Sequence, residues 1–213
     1  MPRGLFITLE GGEGSGKSTQ VKLLRDRLKR RNLPVTMVRE PGGTPLGDRL
    51  RRLLKFSDEP LTPEAELLLF NASRAQLVKD VIRPALEMGH VVLCDRFADS
   101  TIAYQGYGRG IPLDTVEEVN KFATGGLIPD MTIFLALSPE EGMNRRSGAR
   151  DRFEREFEQR EVIDFHNRVR QGYLEMSRNE PERWAVIDAS LSSRQVSKLI
   201  WERVEPLVKS MGK

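Results

Sequence analysis

The run Gly11-Gly12-Glu13-Gly14-Ser15-Gly16-Lys17-Ser18 fits the spacing G-x-x-x-x-G-K-[ST], and Thr19 extends it. Such glycines let the backbone curl until successive N–H groups converge on one anion. A helix opening at Lys17 adds the positive end of its dipole. Lys17 can then reach the outer phosphates of a nucleoside triphosphate, and the Ser18 hydroxyl can ligate Mg²⁺. Asp95-Arg96-Phe97 offers a second group. An Asp near a phosphate loop can order Mg²⁺ through water, and an Arg beside it can hold a phosphate with two parallel hydrogen bonds. A surface ion pair is the plainer meaning of a lone Asp-Arg. The third group is the arginine crowd Arg145, Arg146, Arg150, Arg152, Arg155 and Arg160. It reads either as a solvated charged face or as a cationic lid that closes over transferring phosphates. The phosphate loop itself contains no Arg, which favours the lid.

These groups need a scaffold that brings them together. Leu5 to Glu10 reads as a strand leading into the glycine turn, and Lys17 to Arg31 as a helix with Val21, Leu24 and Leu28 on one face. Val35 to Arg39 is a second strand, closed by the breaker Pro41-Gly42-Gly43, and Leu46 to Leu54 a short helix. Thr62 and Pro63 open a long helix toward Glu87, in which Pro84 should make a kink or mark the last turn. Val91 to Asp95 is a third strand, apolar enough to be buried on both faces. Leu113 to Thr124 is helical and stops at Gly125-Gly126; Thr132 to Leu137 is a fourth strand, and Ser138-Pro139-Glu140 opens another helix. Arg145 to Arg160 is almost without apolar residues and reads as a mobile loop. A helix then runs to about Arg178, Trp184 to Asp188 is a fifth strand, and Ser192 or Ser193 caps a last helix to about Lys209.

Five short strands separated by helices imply parallel pairing through right-handed crossovers, a doubly wound α/β sheet. Ligands in such folds sit at the carboxyl ends of the strands. The phosphate loop and Asp95-Arg96 both fall there. The 213 residues fit a single domain, 1–213, with the lid at about 143–160.

Composition narrows the class. Lys plus Arg is 34 and Asp plus Glu 31, a net +3, too mild to point to nucleic acid or a membrane surface. The single cysteine, Cys94, rules out an intrachain disulfide scaffold. With no apolar run of spanning length and no signal peptide, a cytoplasmic protein is expected. A guanine-specific switch is disfavoured, because the one Asn-Lys pair, Asn120-Lys121-Phe122-Ala123, lacks the Asp of N-K-x-D and reads as a helix surface.

Over essentially the whole chain the sequence resembles the thymidylate kinase family. The resemblance is carried by Glu10 to Thr19, by Arg39-Glu40-Pro41-Gly42-Gly43-Thr44, by Asp95-Arg96-Phe97, by Ser100-Thr101-Ile102-Ala103-Tyr104-Gln105-Gly106, and by Asp151-Arg152-Phe153-Glu154, in the family's order and spacing. It implies a nucleoside monophosphate kinase fold with an Arg-rich lid, transfer of phosphoryl from ATP to dTMP with Mg²⁺, and a homodimer joined through the long helices. By the same resemblance Phe70 stacks on the thymine and Arg74, four residues on and so on the same helical face, bonds its O4. Thr101 contacts the base, and Tyr104 lies against C2′ and crowds out a ribose hydroxyl. Arg51 and Arg96 hold the acceptor phosphate, and Glu13 approaches the acceptor 3′-hydroxyl. Glu40, Ser100 and Gln105 complete the acceptor site, and Ser18 and Asp95 hold or order the metal.

One branch of the family carries its catalytic Arg in the phosphate loop and the other in the lid. Gly14 and Ser15 place this chain with the second, and among the lid residues Arg150 stands first, then Arg145 and Arg146, with Arg152 serving the lid or ATP. Two residues depart from many relatives: Phe97, where Tyr or His is common, and Ala136, where Asp is common. Kinases for other nucleoside monophosphates, and an ATP-binding module without catalysis, stay open as alternatives.

Overall fold

The computed structural model describes residues 4–56, 60–145 and 155–211, with side chains omitted for 155–161. Five parallel strands, β1 (Leu5–Glu10), β2 (Val35–Arg39), β3 (Val91–Asp95), β4 (Met131–Ala136) and β5 (Trp184–Asp188), form one sheet in the order β2-β3-β1-β4-β5. The central β1 pairs Leu9 with Asp95 of β3 on one side and Glu10 with Phe134 of β4 on the other. The chain leaves β1 toward β2 and crosses from β3 to β4, so the carboxyl ends of β1 and β3 flank the crevice where such sheets bind ligands.

Strand alternation sends side chains to both faces. Leu5, Ile7 and Leu9 pack with Val21, Leu24 and Leu28 of α1 (Lys17–Lys29) and with Val196, Ile200, Trp201 and Val204 of α9 (Ser193–Ser210). Phe6, Val92 and Cys94 face Leu77, Val78, Ile82 and Leu86 on the opposite side. Phe134 and Trp184 meet Val169, Tyr173 and Met176 of α8 (Arg155–Asn179). Each fully buried aliphatic or aromatic side chain contributes about 1.5–3 kcal/mol relative to exposure.

Between strands lie α2 (Pro45–Phe56), α3 (Pro63–Leu77), α4 (Arg83–Glu87), α5 (Ala98–Thr101), α6 (Leu113–Thr124) and α7 (Pro139–Asn144). Thr62 caps α3 by accepting from the Ala65 amide, and Ser138 caps α7 by accepting from the Glu141 amide. Ser192, not Ser193, caps α9, in a reciprocal box with Gln195. Pro84 opens the last turn of the long helix, as expected: the helix ends at Glu87, and the Met88 amide donates to the Pro84 carbonyl at 3.0 Å. A wide π-helical turn, Val78–Ile82, precedes that last turn. A second wide stretch, Ile102–Gly108, follows α5. The arginine-rich stretch expected as a loop from Arg145 to Arg160 is helical from Arg155; residues 146–154 lie outside the described residues.

Candidate active site

A cleft of about 570 Å³ opens at the carboxyl edge of the sheet, lined by Glu13, Gly14, Lys17 and Ser18, by Asp95, Arg96, Arg51 and Arg39, and by Phe70, Arg74, Thr101 and Tyr104. Residues of the phosphate loop, the Asp95-Arg96 pair and the acceptor set thus share one cavity, which Glu40, Ser100 and Gln105 line as well, while Arg145 is not among its lining residues.

In the phosphate loop, Gly11 to Gly16 curl between β1 and α1. Gly11 (φ 143°), Gly14 (φ 70°) and Gly16 (φ 87°) adopt backbone angles open to glycine, and Gly16 is the N-cap of α1. A Cβ on Gly14 would lie 2.4 Å from the Gly142 carbonyl oxygen, and one on Gly142 would lie 2.4 Å from that of Glu13. The loop therefore rests on the first turn of α7. Lys17 folds over the loop, donating to the carbonyls of Gly11 (2.9 Å) and Gly12 (2.7 Å) and to the Ser15 hydroxyl (3.3 Å). Burial, with Arg96 nearby, pulls its ammonium down to about 7, against the opposing pull of Asp95 and Glu10. Ser18 Oγ donates to Asp95 Oδ2 at 2.7 Å. This hydroxyl and carboxylate are hard oxygen donors side by side, a set that suits Mg²⁺ completed by water and phosphate. Among the described residues no group of three or more His, Cys, Asp or Glu converges as a metal cage. Thr19 is exposed on the first turn of α1.

Arg96 has a positive φ of 72°, rare for a residue with a side chain. Its guanidinium reaches the Ser100 hydroxyl (3.4 Å) and the Tyr104 hydroxyl (3.2 Å) and lies 4.9 Å from the centre of the Tyr104 ring. Burial works against its charge, but the Tyr104 and Tyr173 hydroxyls and the Glu10 carboxyl outweigh it and raise its pKa. Arg51 donates to the Pro41 carbonyl at 2.9 Å. Burial and the neighbouring Arg39 lower the Arg51 pKa, and burial with Arg51 and Arg39 lowers that of Lys55. Four cations, Arg39, Arg51, Lys55 and Arg96, thus crowd one part of the cleft, and their like charges help hold the Arg51 and Lys55 pKa values down.

Arg74 is only 1% exposed. Its Nε donates to Glu40 Oε2 (2.8 Å), Nη1 to Asn71 (3.1 Å) and Asn120 (2.7 Å), and Nη2 to the Phe97 carbonyl (3.1 Å), while Nη2 also lies 2.7 Å from Glu40 Oε2. Every N–H of the guanidinium is engaged by protein. Glu40 Oε1 has no hydrogen-bond partner among the described residues, and burial, ahead of the opposing pull of Arg74, raises the Glu40 pKa. Asn120, expected on a helix surface, is instead 5% exposed, because it braces Arg74 and donates to the Ala98 carbonyl; its neighbour Phe122 is 90% exposed. Phe97 fills the core edge-on to Phe6 at 4.9 Å, and Ala136 packs beside the cluster around Phe134 and Tyr173. Gln105 Nε2 donates to Glu66 at 2.6 Å, and Glu66 also pairs with Arg109 at 3.1 Å.

Arg145 caps α7 and is held there: Nη1 donates to the carbonyls of Ala189 (2.9 Å) and Gly14 (3.4 Å), and Nη2 to Glu141 (2.7 Å). Arg146, Arg150 and Arg152 lie outside the described residues. The sequence reading assigned no role to Arg39, Lys55, Glu66, Arg109 or Phe165, all of which line the cleft. It also missed the buried Glu10, whose signal is an acidic residue ending an otherwise apolar strand.

The residue pattern of the thymidylate kinase family matches positions 9–200. A thymidylate kinase of Dehalococcoides mccartyi is 50% identical over 207 residues, covering 96% of this chain and 98% of that protein. One from Synechococcus sp. (strain JA-3-3Ab) is 52% identical, covering 95% of this chain and 96% of its own length. The crystal structure of thymidylate kinase from Ehrlichia chaffeensis superposes with a TM-score of 0.75 at 34% identity, over 97% of this chain and 99% of that one. The expected α/β nucleoside monophosphate kinase fold is the one found, and the chain belongs to the thymidylate kinase family, phosphotransferases that act on a nucleoside monophosphate.

Proposed function

We propose that the protein transfers the γ-phosphoryl group of ATP to dTMP, giving ADP and dTDP, with the residue roles below. The observation that carries this reading is one cleft joining the phosphate loop to a pocket walled by Phe70, Thr101 and Tyr104 across a belt of cations. ATP lies with its phosphates in the loop of Gly11 to Ser18, where backbone N–H groups, the start of α1 and Lys17 draw its charge. Lys17 must exchange its bonds to the Gly11 and Gly12 carbonyls for phosphate oxygens, and the anion restores its full charge. Ser18 and, through water, Asp95 hold Mg²⁺, which when bound neutralises charge on the donor phosphates.

The acceptor sits opposite. Phe70 stacks on the base, Thr101 faces its edge, and Tyr104 walls off the sugar 2′ position; Arg74, whose N–H groups all bond protein here, must share or exchange one of them to reach the base O4. Arg96 and Arg51 grip the phosphate, with Arg39 and Lys55 adding positive potential. Glu13 faces the sugar, and Glu40, Ser100 and Gln105 keep the surrounding side chains in place. The acceptor phosphate, with a second pKa of about 6, is already ionised near neutrality, so no strong base is needed. The work of the residues is alignment and charge stabilisation of an in-line transfer. A lid arginine, Arg150 first and then Arg145 or Arg146, completes the cationic clamp, and closure of the lid keeps water from competing. For Arg145 this requires release from Glu141 and Ala189.

The test is ADP formation from ATP and Mg²⁺ with dTMP, dUMP, UMP, CMP, AMP or GMP as acceptor. A strong preference for dTMP is expected; preference for another monophosphate would overturn the assignment of Phe70, Arg74, Thr101 and Tyr104. We also propose that the protein is a cytoplasmic homodimer, without nucleic acid or membrane partners. No described helix is long and apolar enough to cross a membrane, and a second copy on the α2, α3 and α6 helices would cover the exposed Leu53, Leu68 and Phe122. Light scattering after size exclusion tests the dimer.

A further inference from the structure

The positive φ of Arg96 requires something to hold it, and the bonds around it converge on β1. The Arg96 amide donates to the Leu9 carbonyl at 3.1 Å, and the next amide, of Phe97, donates to Glu10 Oε1 at 2.7 Å. The Arg96 carbonyl accepts from the Cys94 thiol at 2.8 Å. The other Glu10 oxygen, Oε2, accepts from the Ser100 hydroxyl and from the Tyr173 hydroxyl (2.9 Å), and Ser100 Oγ in turn accepts from Arg96 Nη1 at 3.4 Å. Glu10 is 0% exposed. One buried carboxylate therefore grips the backbone on the far side of Arg96 and, through Ser100, its guanidinium. Through Tyr173 it also ties that arrangement to α8.

We infer that Glu10 is a positioning residue for the acceptor phosphate: it holds Arg96 in its left-handed conformation and aims the guanidinium into the cleft. Glu10 itself touches neither nucleotide, since it is sealed beneath Phe97, Ser100 and Tyr173. The inference rests on the reading that Arg96 binds the acceptor phosphate. A carboxylate is suited to the task because it accepts several hydrogen bonds at once. An amide in its place accepts on one side only and turns donors toward the hydroxyls of Ser100 and Tyr173.

The experiment compares Glu10→Gln, Arg96→Ala and the double variant at pH 8, reading KM for dTMP, KM for ATP, and melting temperature. Glu10→Gln is expected to raise KM for dTMP about tenfold, about 1.4 kcal/mol, while KM for ATP changes less than about twofold. In the Arg96→Ala background the same change should add almost nothing, because the residue it positions is gone. Should Glu10→Gln fail to fold, Tyr173→Phe removes one partner of the carboxylate and is expected to raise KM for dTMP about threefold, again without effect on ATP. Equal losses for both substrates, an unchanged KM for dTMP in the folded variants, or full additivity with Arg96→Ala would overturn the inference and leave Arg96 as a phosphate ligand. An unchanged KM for dTMP in Arg96→Ala itself would overturn both.

Discussion

The donor end of the cleft is made of backbone and the acceptor end of side chains. In the loop Gly11 to Gly16 the groups proposed to meet phosphate are amides, shaped by glycines and by contact with Gly142, to which Lys17 and Ser18 add side-chain chemistry. At the acceptor end Arg74 alone draws on Glu40, Asn71, Asn120 and Phe97, and Arg96 draws on Ser100 and Tyr104. A backbone cradle suits a donor recognised by phosphates common to all nucleotides. A web of side chains suits an acceptor recognised by its base and sugar, because each wall can be set separately.

If that contrast holds, removing the lysine of the phosphate loop should abolish chemistry and spare the fold. Lys17→Ala is expected to lower kcat by about a thousandfold or more, with a melting temperature close to that of the parent protein; near-normal turnover would sink the assignment. Cutting the acceptor web should do the reverse and strike stability first. Arg74→Ala leaves the Glu40 carboxylate buried and unpaired, at a cost of about 3–5 kcal/mol, readable as a lower denaturation midpoint in urea; an unchanged midpoint would mean the web is not structural.

Glu10 sharpens the comparison through pH. Burial first, then Asp99, lifts its carboxyl from 4.5 to about 7, against Ser100, Arg96 and the Phe97 amide. Facing it are Arg96 from the turn after β3, Asp99 of α5, Cys94 of β3, Lys17 of α1 and Tyr173 of α8. Because the folded carboxyl holds its proton to higher pH than the unfolded one, its contribution to stability is full below about pH 4.5. It is lost as pH rises through about 7, a change of roughly 3 kcal/mol. Chemical denaturation from pH 5 to pH 8 should show this decline, and Glu10→Gln should flatten it; an equal slope in both proteins would refute the assignment. Within the loop, Gly14→Ala should lower the melting temperature, whereas Gly12→Ala, whose added Cβ would meet nothing within 4 Å, should not. Equal effects would mean that contact with Gly142 does not shape the loop. The smallest change expected is a rise of about threefold in KM for dTMP in Tyr104→Phe, from loss of the hydroxyl that Arg96 reaches; a larger effect on ATP than on dTMP would misplace Tyr104.

The phosphate loop was legible because its strand, glycine turn and helix form one local run, Leu5 to Lys29. Helix α6 was legible too, its end marked by Gly125 in the left-handed conformation. The acceptor web is not local. Glu10 finds its partners 87, 90 and 163 residues away, and Arg74 meets Asn120 across 46. An arginine on an apolar helical face such as that of Arg74 needs a buried partner, but residue type does not say which. The family resemblance supplied Phe70, Thr101 and Tyr104, whose types alone read equally well as packing. The wide helical turns at Val78–Ile82 and Ile102–Gly108 depend on backbone spacing that no apolar period announces, and the second of them positions Tyr104 and Gln105.

The contact between Gly14 and Gly142 also bears on how this chain can change. The resemblance implies a branch of the family with its catalytic Arg in the phosphate loop, but here any side chain at position 14 drives into the backbone of α7. Moving the Arg to that position is closed to single substitutions. The first step loses the seat of the loop before the new residue can act, so the two designs are separated by a fitness valley that only a coordinated shift of α7 would cross.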